Sequence, residues 1–413
     1  MPLLVFVLGR LIRRGDLTVV MPDGRAHRFG GPPLAGVPPV TIRIHDPRTA
    51  RDLALRPALE AGEAYMDGRL TIEDGSLADF LAIGCANLEH HDRGRPMIQA
   101  LVRGLGLLDQ INPADRARRN VAQHYDLTGR LYDLFLDADR QYSCAYFPRP
   151  GMSLEEAQDA KKRHIAAKLR LADGQRVLDI GCGWGGLALA LARVARVEVL
   201  GITLSREQLD TARRRAAEAG LADRVRFEPA DYRHVEGRFD RIVSVGMFEH
   251  VGRAHFRAFF RRLGDLLAPD GVALLHSIGR AWGPGATNPW MRKYIFPGGY
   301  SPALSEVLPA VERAGLWVTD IEILRLHYAH TIAEWRRRFA THRAEIAELT
   351  DERFCRMWEF YLAGAEMAFL HQGHMVFQMQ LTRDPLAVPL TRDYMVDAER
   401  ALAGAEDGLR AAE

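Results

Sequence analysis

A carboxylate beside a run of glycines is the first place in this chain where chemistry could be done. Val177-Leu178-Asp179-Ile180-Gly181-Cys182-Gly183-Trp184-Gly185-Gly186 reads as a buried strand that ends in a glycine turn and opens a helix. Such a turn lets a ligand approach the backbone where a Cβ would intrude. The stretch GCGWGG also fits the GxGxxG pattern of dinucleotide sites, which is weak by itself. Two details separate the ligands. Asp179 stands just before the first glycine, where its charge would repel a pyrophosphate. The next strand ends Gly201-Ile202-Thr203-Leu204-Ser205, with no acid to hold a dinucleotide's ribose hydroxyls. S-adenosylmethionine has no phosphate, and its sulfonium and amino group are cationic. A carboxylate near that end suits it, so the loop points to a methyl donor.

Other reactive side chains are scattered, and each has an ordinary reading when taken singly. Glu249 and His250 follow a strand end and fit a helix N-terminus. His276, within Leu274-Leu275-His276-Ser277-Ile278, fits a buried, hydrogen-bonded core histidine. Tyr328 fits packing after a strand. Cys144 fits a small apolar filler rather than a nucleophile. The cysteines Cys85, Cys144, Cys182 and Cys355 form no CxxC pair, so neither a disulfide framework nor a thiolate zinc site is expected.

The elements that must position these groups come in two styles. From about residue 170, strand-length apolar runs (QRVLDI, VEVLGITL, RVRFEP, FDRIVSV, GVALLHSI) alternate with helical segments. That alternation predicts a parallel sheet with helices on both faces. Two later strands, LWVTDIEIL and HMVFQMQLT, are separated by long helical stretches. Residues 1–115 read as a small α+β module, with a hairpin at Pro22-Asp23-Gly24. A bridge over residues 95–127 is amphipathic in its first half and basic in its second. It reads either as a connecting helix with a solvated face or as a patch for anionic lipid heads. The expected division is 1–115 and 116–413.

Composition narrows the classes further. The 413 residues carry 55 Lys+Arg against 53 Asp+Glu, too even a balance for a protein that grips nucleic acid. The opening MPLLVFVLGRLIRR has a short apolar run with no basic segment before it, so neither a signal peptide nor a membrane span is expected. A cytoplasmic location follows as the expectation, and any lipid must be reached from its surface.

Seven short signatures occur in order along the chain. They are His124-Tyr125-Asp126-Leu127, Gln141-Tyr142-Ser143-Cys144-Ala145-Tyr146, and Gly201-Ile202-Thr203-Leu204-Ser205-Arg206-Glu207-Gln208. Then come Ser244-Val245-Gly246-Met247-Phe248-Glu249-His250-Val251-Gly252, His276-Ser277-Ile278-Gly279, Lys293-Tyr294-Ile295-Phe296-Pro297-Gly298-Gly299, and His327-Tyr328. In these the chain resembles the cyclopropane-fatty-acyl-phospholipid synthases and the related mycolic-acid cyclopropane synthases. The resemblance is dense from about residue 120 to 382 and extends to the N-terminal module of the longer bacterial members.

The resemblance implies an α/β fold: a seven-stranded, Rossmann-like class I methyltransferase sheet with a smaller N-terminal α+β domain. It implies transfer of a methyl group from S-adenosylmethionine to a cis double bond in a phospholipid acyl chain. The carbocation so formed loses a proton from the new methyl, and the ring closes. Family members hold bicarbonate for that deprotonation, and the matching positions here are Cys144, Glu249, His276, Ile278 and Tyr328. A buried anion needs directed hydrogen bonds. Cys144 and Ile278 would supply main-chain groups, His276 and Tyr328 side-chain donors, and Glu249 an acceptor that orients the ion. For the methyl donor the matching positions are Tyr142, Ser143, Asp179, Gly181, Gly183, Thr203, Leu204, Gln208, Asp231 and Tyr232. Tyr232 stands where many members have Trp and keeps an aromatic face.

An apolar tunnel must also shield the cation from water. Its aromatic candidates are Phe248, Tyr294, Phe296, Trp358, Tyr361 and Phe369, although plain core is the ordinary reading at helical spacing. A homodimer on the inner face of the membrane is also implied, bound peripherally, with the N-terminal module used for docking or dimerisation. Relatives that add a methyl branch or methylene share the donor site, so they remain an alternative. A non-catalytic lipid-binding protein is another, against which the intact Asp179, Glu249, His276 and Tyr328 argue.

Overall fold

The structure is a computed structural model that describes residues 3–92 and 129–410, with side chains over 3–88 and 129–404. The bridge 95–127, the His124-Tyr125-Asp126-Leu127 signature and the boundary expected near 115 lie outside the described residues. The chain forms two compact units.

The larger unit is built on a seven-stranded sheet. Its strands are β5 (Arg176–Ile180), β6 (Glu198–Ile202), β7 (Val225–Glu228), β8 (Phe239–Val245), β9 (Leu267–Arg280), β10 (Trp317–Ile323) and β11 (His374–Thr382), in the order β10-β11-β9-β8-β5-β6-β7. Strands β5 to β9 pair in parallel, and β10 pairs antiparallel with β11. Alternate residues of β5 serve two cores: Val177 belongs to one, Leu178 and Ile180 to the other. A strand buried on both faces needs a continuous apolar run, which is why VLDI tolerates one acid only at its end. The order reverses between β5 and β8, since the chain winds one way through β6 and β7 and then returns. Ligands of such sheets bind outside the carboxyl ends at this reversal, where the glycine loop lies.

The smaller unit holds a four-stranded sheet in the order β2-β1-β3-β4, from β1 (Asp16–Val20), β2 (Ala26–Gly30), β3 (Val40–Ile44) and β4 (Leu70–Asp74). The Pro22-Asp23-Gly24 turn joins β1 to its antiparallel partner β2, with Gly24 at φ +83°. This unit also takes Gly285–Pro297 and Ala329–His374 from much later in the chain. The expected division assigned both segments to the methyltransferase. They lack strand–helix alternation and pack instead on the helix Pro57–Met66. Trp290 is buried against Gly62, donates its indole N–H to Met66 Sδ at 3.3 Å, and meets the Phe360 ring at 4.7 Å. Lys293 and Tyr294 both bond Glu63 Oε1, at 2.5 and 2.8 Å, and Arg353 pairs with Asp67 at 2.9 Å. Five of the aromatic tunnel candidates (Tyr294, Phe296, Trp358, Tyr361, Phe369) therefore belong to this unit. Phe248 instead packs on Phe256, Phe259 and Phe260 in a core of the larger one.

Candidate functional site

The glycine loop forms one wall of a cleft in the larger unit. Gly181 sits at φ +84°, and a Cβ there would come within 2.8 Å of Met247 Cβ. Gly183 sits at φ +54° with no protein atom within 4 Å of its missing Cβ, so it is the backbone conformation, not crowding, that favours glycine there. All ten residues expected at the methyl donor line this cleft: Tyr142, Ser143, Asp179, Gly181, Gly183, Thr203, Leu204, Gln208, Asp231 and Tyr232. Asp179 is buried, and its Oδ2 has no hydrogen-bond partner among the described residues. Burial pushes its carboxyl up to about 7, against the pull of the nearby Lys161 ammonium. Across the cleft, Thr203 donates to Gln208 Oε1 at 2.8 Å, and Ser205 caps the helix Arg206–Glu218. Asp231 caps the turn Tyr232–His234, and its carboxylate is already clamped by the Arg233 guanidinium at 2.8 and 2.6 Å.

The helix Leu154–Leu169 contributes groups that no motif announces. Ser153 and Glu156 form a capping box that starts it. One buried face then presents Gln158 and Lys161. The Gln158 amide donates to the carbonyls of Gln141 (3.1 Å) and Ser143 (3.0 Å). Lys161 Nζ donates to Gln141 Oε1 (2.6 Å) and Ser143 Oγ (2.9 Å). These bonds hold the segment Gln141-Tyr142-Ser143 against the cleft. Burial pushes the Lys161 ammonium down to about 8, with Asp137 opposing. The available sequence signal was two polar residues three apart on an alanine-rich buried face, a pattern with no chemical specificity.

The five residues expected at the anion do not line the donor cleft; their chain neighbours Val245, Gly246, Met247 and His250 do. Glu249 lies in the short turn Phe248–His250 after β8. Its Oε1 accepts from the Ile278 amide at 2.7 Å, while its buried Oε2 has no partner among the described residues. Burial pushes its carboxyl up to about 7, with the Ile278 N–H opposing. His276 is two residues before Ile278 on β9, so the two share a face. Its Nδ1 lies 3.1 Å from Gln378 Nε2, and burial, together with Lys161, Lys168 and His164, holds the ring well below the usual histidine range. Cys144 is fully buried, with its thiol 3.3 Å from the Ala145 carbonyl. Tyr328 is buried at the start of the helix His327–Thr341, and the adjacent His327 Nδ1 accepts from the Phe147 amide at 3.0 Å. The Ile278 amide thus meets Glu249, and His276 stands two residues earlier on the same strand; Cys144 follows the segment that Gln158 and Lys161 hold, and Tyr328 follows His327, which accepts from the Phe147 amide.

The residues fit the two groups expected. A buried carboxylate with a free oxygen lines a cleft whose glycines adopt positive φ, which suits a cationic, phosphate-free nucleoside. A second buried carboxylate, with one oxygen unpartnered among the described residues and the other bonded to the strand that carries His276, suits a small anion that carries its own hydroxyl donor.

Comparison with known proteins agrees with this geometry. The family model described as mycolic acid cyclopropane synthetase matches residues 113–379. The chain is 36% identical over 375 residues to the cyclopropane-fatty-acyl-phospholipid synthase of Escherichia coli (strain K12), covering 88% of this chain and 95% of that protein. It is also 36% identical over 382 residues to a probable fatty acid methyltransferase of Pseudomonas putida, covering 88% and 93%. The solved mycolic acid cyclopropane synthase CmaA1, complexed with SAH and CTAB, aligns with a TM-score of 0.61 and 33% identity over 66% of this chain and 99% of its own. Sheet order, donor cleft and these matches lead to one conclusion: the chain belongs to the mycolic acid cyclopropane synthetase family, enzymes with an S-adenosylmethionine-dependent methyltransferase fold.

Proposed function

We propose that this chain adds a methylene from S-adenosylmethionine across the cis double bond of an unsaturated phospholipid acyl chain, forming a cyclopropane ring. The observation that carries the reading is the pair of buried carboxylates, Asp179 and Glu249, each with one oxygen unpartnered among the described residues. Bound in the cleft, S-adenosylmethionine supplies a methyl group on an electrophilic sulfonium. Asp179 faces the donor's cationic end, and Gln141-Tyr142-Ser143, held by Lys161 and Gln158, closes the opposite side. Bicarbonate beside Glu249 supplies a base for the proton that must leave the added methyl. Glu249 Oε2 accepts that ion's hydroxyl, His276 and Tyr328 donate to its oxygens, and Cys144 and Ile278 contribute main-chain groups. Burial of this cluster keeps water from a carbocation.

The likeness to the Pseudomonas putida fatty acid methyltransferase favours a second reading, in which a methyl branch or methylene is added without ring closure. Incubation with S-adenosylmethionine and unsaturated phospholipid vesicles, followed by gas chromatography–mass spectrometry of the fatty acids, separates the two. A saturated-ring product heavier by CH2 supports the first reading, a branched product the second, and no product sinks both. No described helix is long and apolar enough to cross a membrane. The chain then acts at the surface of the bilayer, on the cytoplasmic face, as a peripheral homodimer. Co-sedimentation with anionic vesicles that weakens as salt rises supports surface docking.

A further inference from the structure

Behind His276 runs a line of buried polar groups that the reaction as proposed does not use. β11 alternates cleanly: Met375, Phe377, Met379 and Leu381 enter one core, while Gln378 and Gln380 face the helix Leu154–Leu169. Lys168 of that helix, almost fully buried, donates from Nζ to Gln378 Oε1 at 2.7 Å. Gln378 Nε2 in turn meets His276 Nδ1 at 3.1 Å. Lys168 also contacts Glu322 Oε2, which is 2.6 Å from His164 Nε2. His164 Nδ1 is 2.8 Å from Glu399 Oε2 on the helix Asp393–Arg410, and the Tyr146 ring stacks on His164 at 4.2 Å.

The donor and acceptor inventory fixes this line in one direction. An ammonium only donates, so Lys168 selects the oxygen end of the Gln378 amide. The amide's NH2 must then face His276, and Nδ1 can meet it only as an acceptor. A neutral imidazole carries one proton, which is left on Nε2. Burial pushes the Lys168 ammonium down, and Glu322, kept ionised by its bonds to His164 and Lys168, opposes that shift and favours the charged form. We infer that Gln378, oriented by Lys168, is a positioning residue that locks His276 in the Nε2–H tautomer, so that the ring presents a donor on the edge away from Gln378. An anion can use that donor, whereas the other tautomer would offer it a lone pair. The consequence for turnover rests on the proposed function; the tautomer does not.

The test is a 15N–1H correlation spectrum of the full chain labelled at histidine, with the His276 signals identified by their loss in His276→Gln. The wild type shows a neutral Nε2–H ring between pH 6 and 9. Gln378→Met removes the lock and yields a tautomer mixture. Gln378→Glu, nearly isosteric but with acceptors only, moves the proton to Nδ1 or makes the ring an imidazolium. Turnover by Gln378→Met falls on the order of tenfold with the KM for S-adenosylmethionine unchanged, the scale seen when a partner of an active-site histidine is removed. A wild-type ring protonated on Nδ1, or a Gln378→Met protein with unaltered spectrum and turnover, overturns the inference. If Gln378→Met fails to fold, the wild-type and Gln378→Glu spectra still decide it. If the wild type forms no lipid product yet shows the Nε2–H ring and its change in the variants, the proposed function falls and the tautomer lock stands.

Discussion

Asp179 and Glu249 carry the same group, both pushed up to about 7 by burial, yet they answer different needs. Asp179 faces a cleft and awaits a cation. Binding a cation favours the charged carboxylate, so a bound donor releases a proton from Asp179 and its affinity rises as pH climbs from 5.5 to 8. Calorimetric titration with S-adenosylmethionine across that range checks the slope. Asp179→Asn flattens it and weakens binding roughly 10- to 100-fold, the worth of a hydrogen bond to a charged group. Glu249 lies off the donor cleft, so Glu249→Gln leaves donor affinity unchanged while product formation falls by about 100-fold or more, as when an acid–base partner is lost. Loss of donor binding in Glu249→Gln would mean the carboxylate serves the other site. In the ligand-free protein both raised carboxyls bind more protons folded than unfolded between about pH 4 and 7, so their contribution to stability falls as pH rises through that window.

At the scale of elements, one face of the helix Leu154–Leu169 supports both sites. Gln158 and Lys161 hold the segment Gln141-Tyr142-Ser143, and one and two turns further on His164 and Lys168 hold the line to His276 and to the C-terminal helix. Lys161→Met leaves Gln141 Oε1 and Ser143 Oγ without their donor. The expected result is weaker S-adenosylmethionine binding, on the order of tenfold, with secondary structure by circular dichroism unchanged. The helix Asp393–Arg410 is tied through Glu399 to His164. Burial disfavours the His164 cation, but its bonds to Glu322 and Glu399 outweigh burial and raise its pKa above the usual 6.5. A raised pKa adds stability that is fully present below 6.5 and is lost as pH rises through the raised value. Amide exchange in residues 393–404 is therefore slower at pH 6 than at pH 9, after correction for intrinsic rates, and His164→Gln removes the difference.

At the scale of the molecule, the smaller unit is not an N-terminal appendage that can be cut away. Trp290, Phe360 and Tyr294 bury their rings against residues 62–66, and Arg353 pairs with Asp67. A chain starting at residue 116 strips these apolar faces, each buried aromatic being worth about 1.5–3 kcal/mol. It is expected to aggregate on expression rather than to yield a soluble catalytic domain; a monodisperse, folded fragment by light scattering would count against this. Membrane docking is better tested on the full chain. With a formal charge of only +2, any salt-dependent vesicle binding is expected to come from local arginine-rich faces rather than from total charge.

The donor cleft was legible in the chain because its chemistry is local. Gly181, Gly183 and Asp179 lie within five residues, and positive φ at the end of a buried strand is a property of the backbone itself. Parallel strand–helix alternation was legible for the same reason, since each apolar run carries its own period. The proposed anion site was named only through resemblance, because Glu249 and His276 look like ordinary turn and core residues until β8 and β9 pair and the Ile278 amide reaches Glu249. Three things were decided by tertiary structure alone: the ammonium of Lys161 under the loop, the Lys168–Gln378–His276 line, and the late segments 285–297 and 329–374 folding with the first module. Lys168 and Gln378 are 210 residues apart, and no local pattern says that a glutamine on one strand will find a lysine on a distant helix. Local backbone preference and period are written in neighbouring residues; which buried polar groups satisfy one another is settled only when the whole chain closes around them.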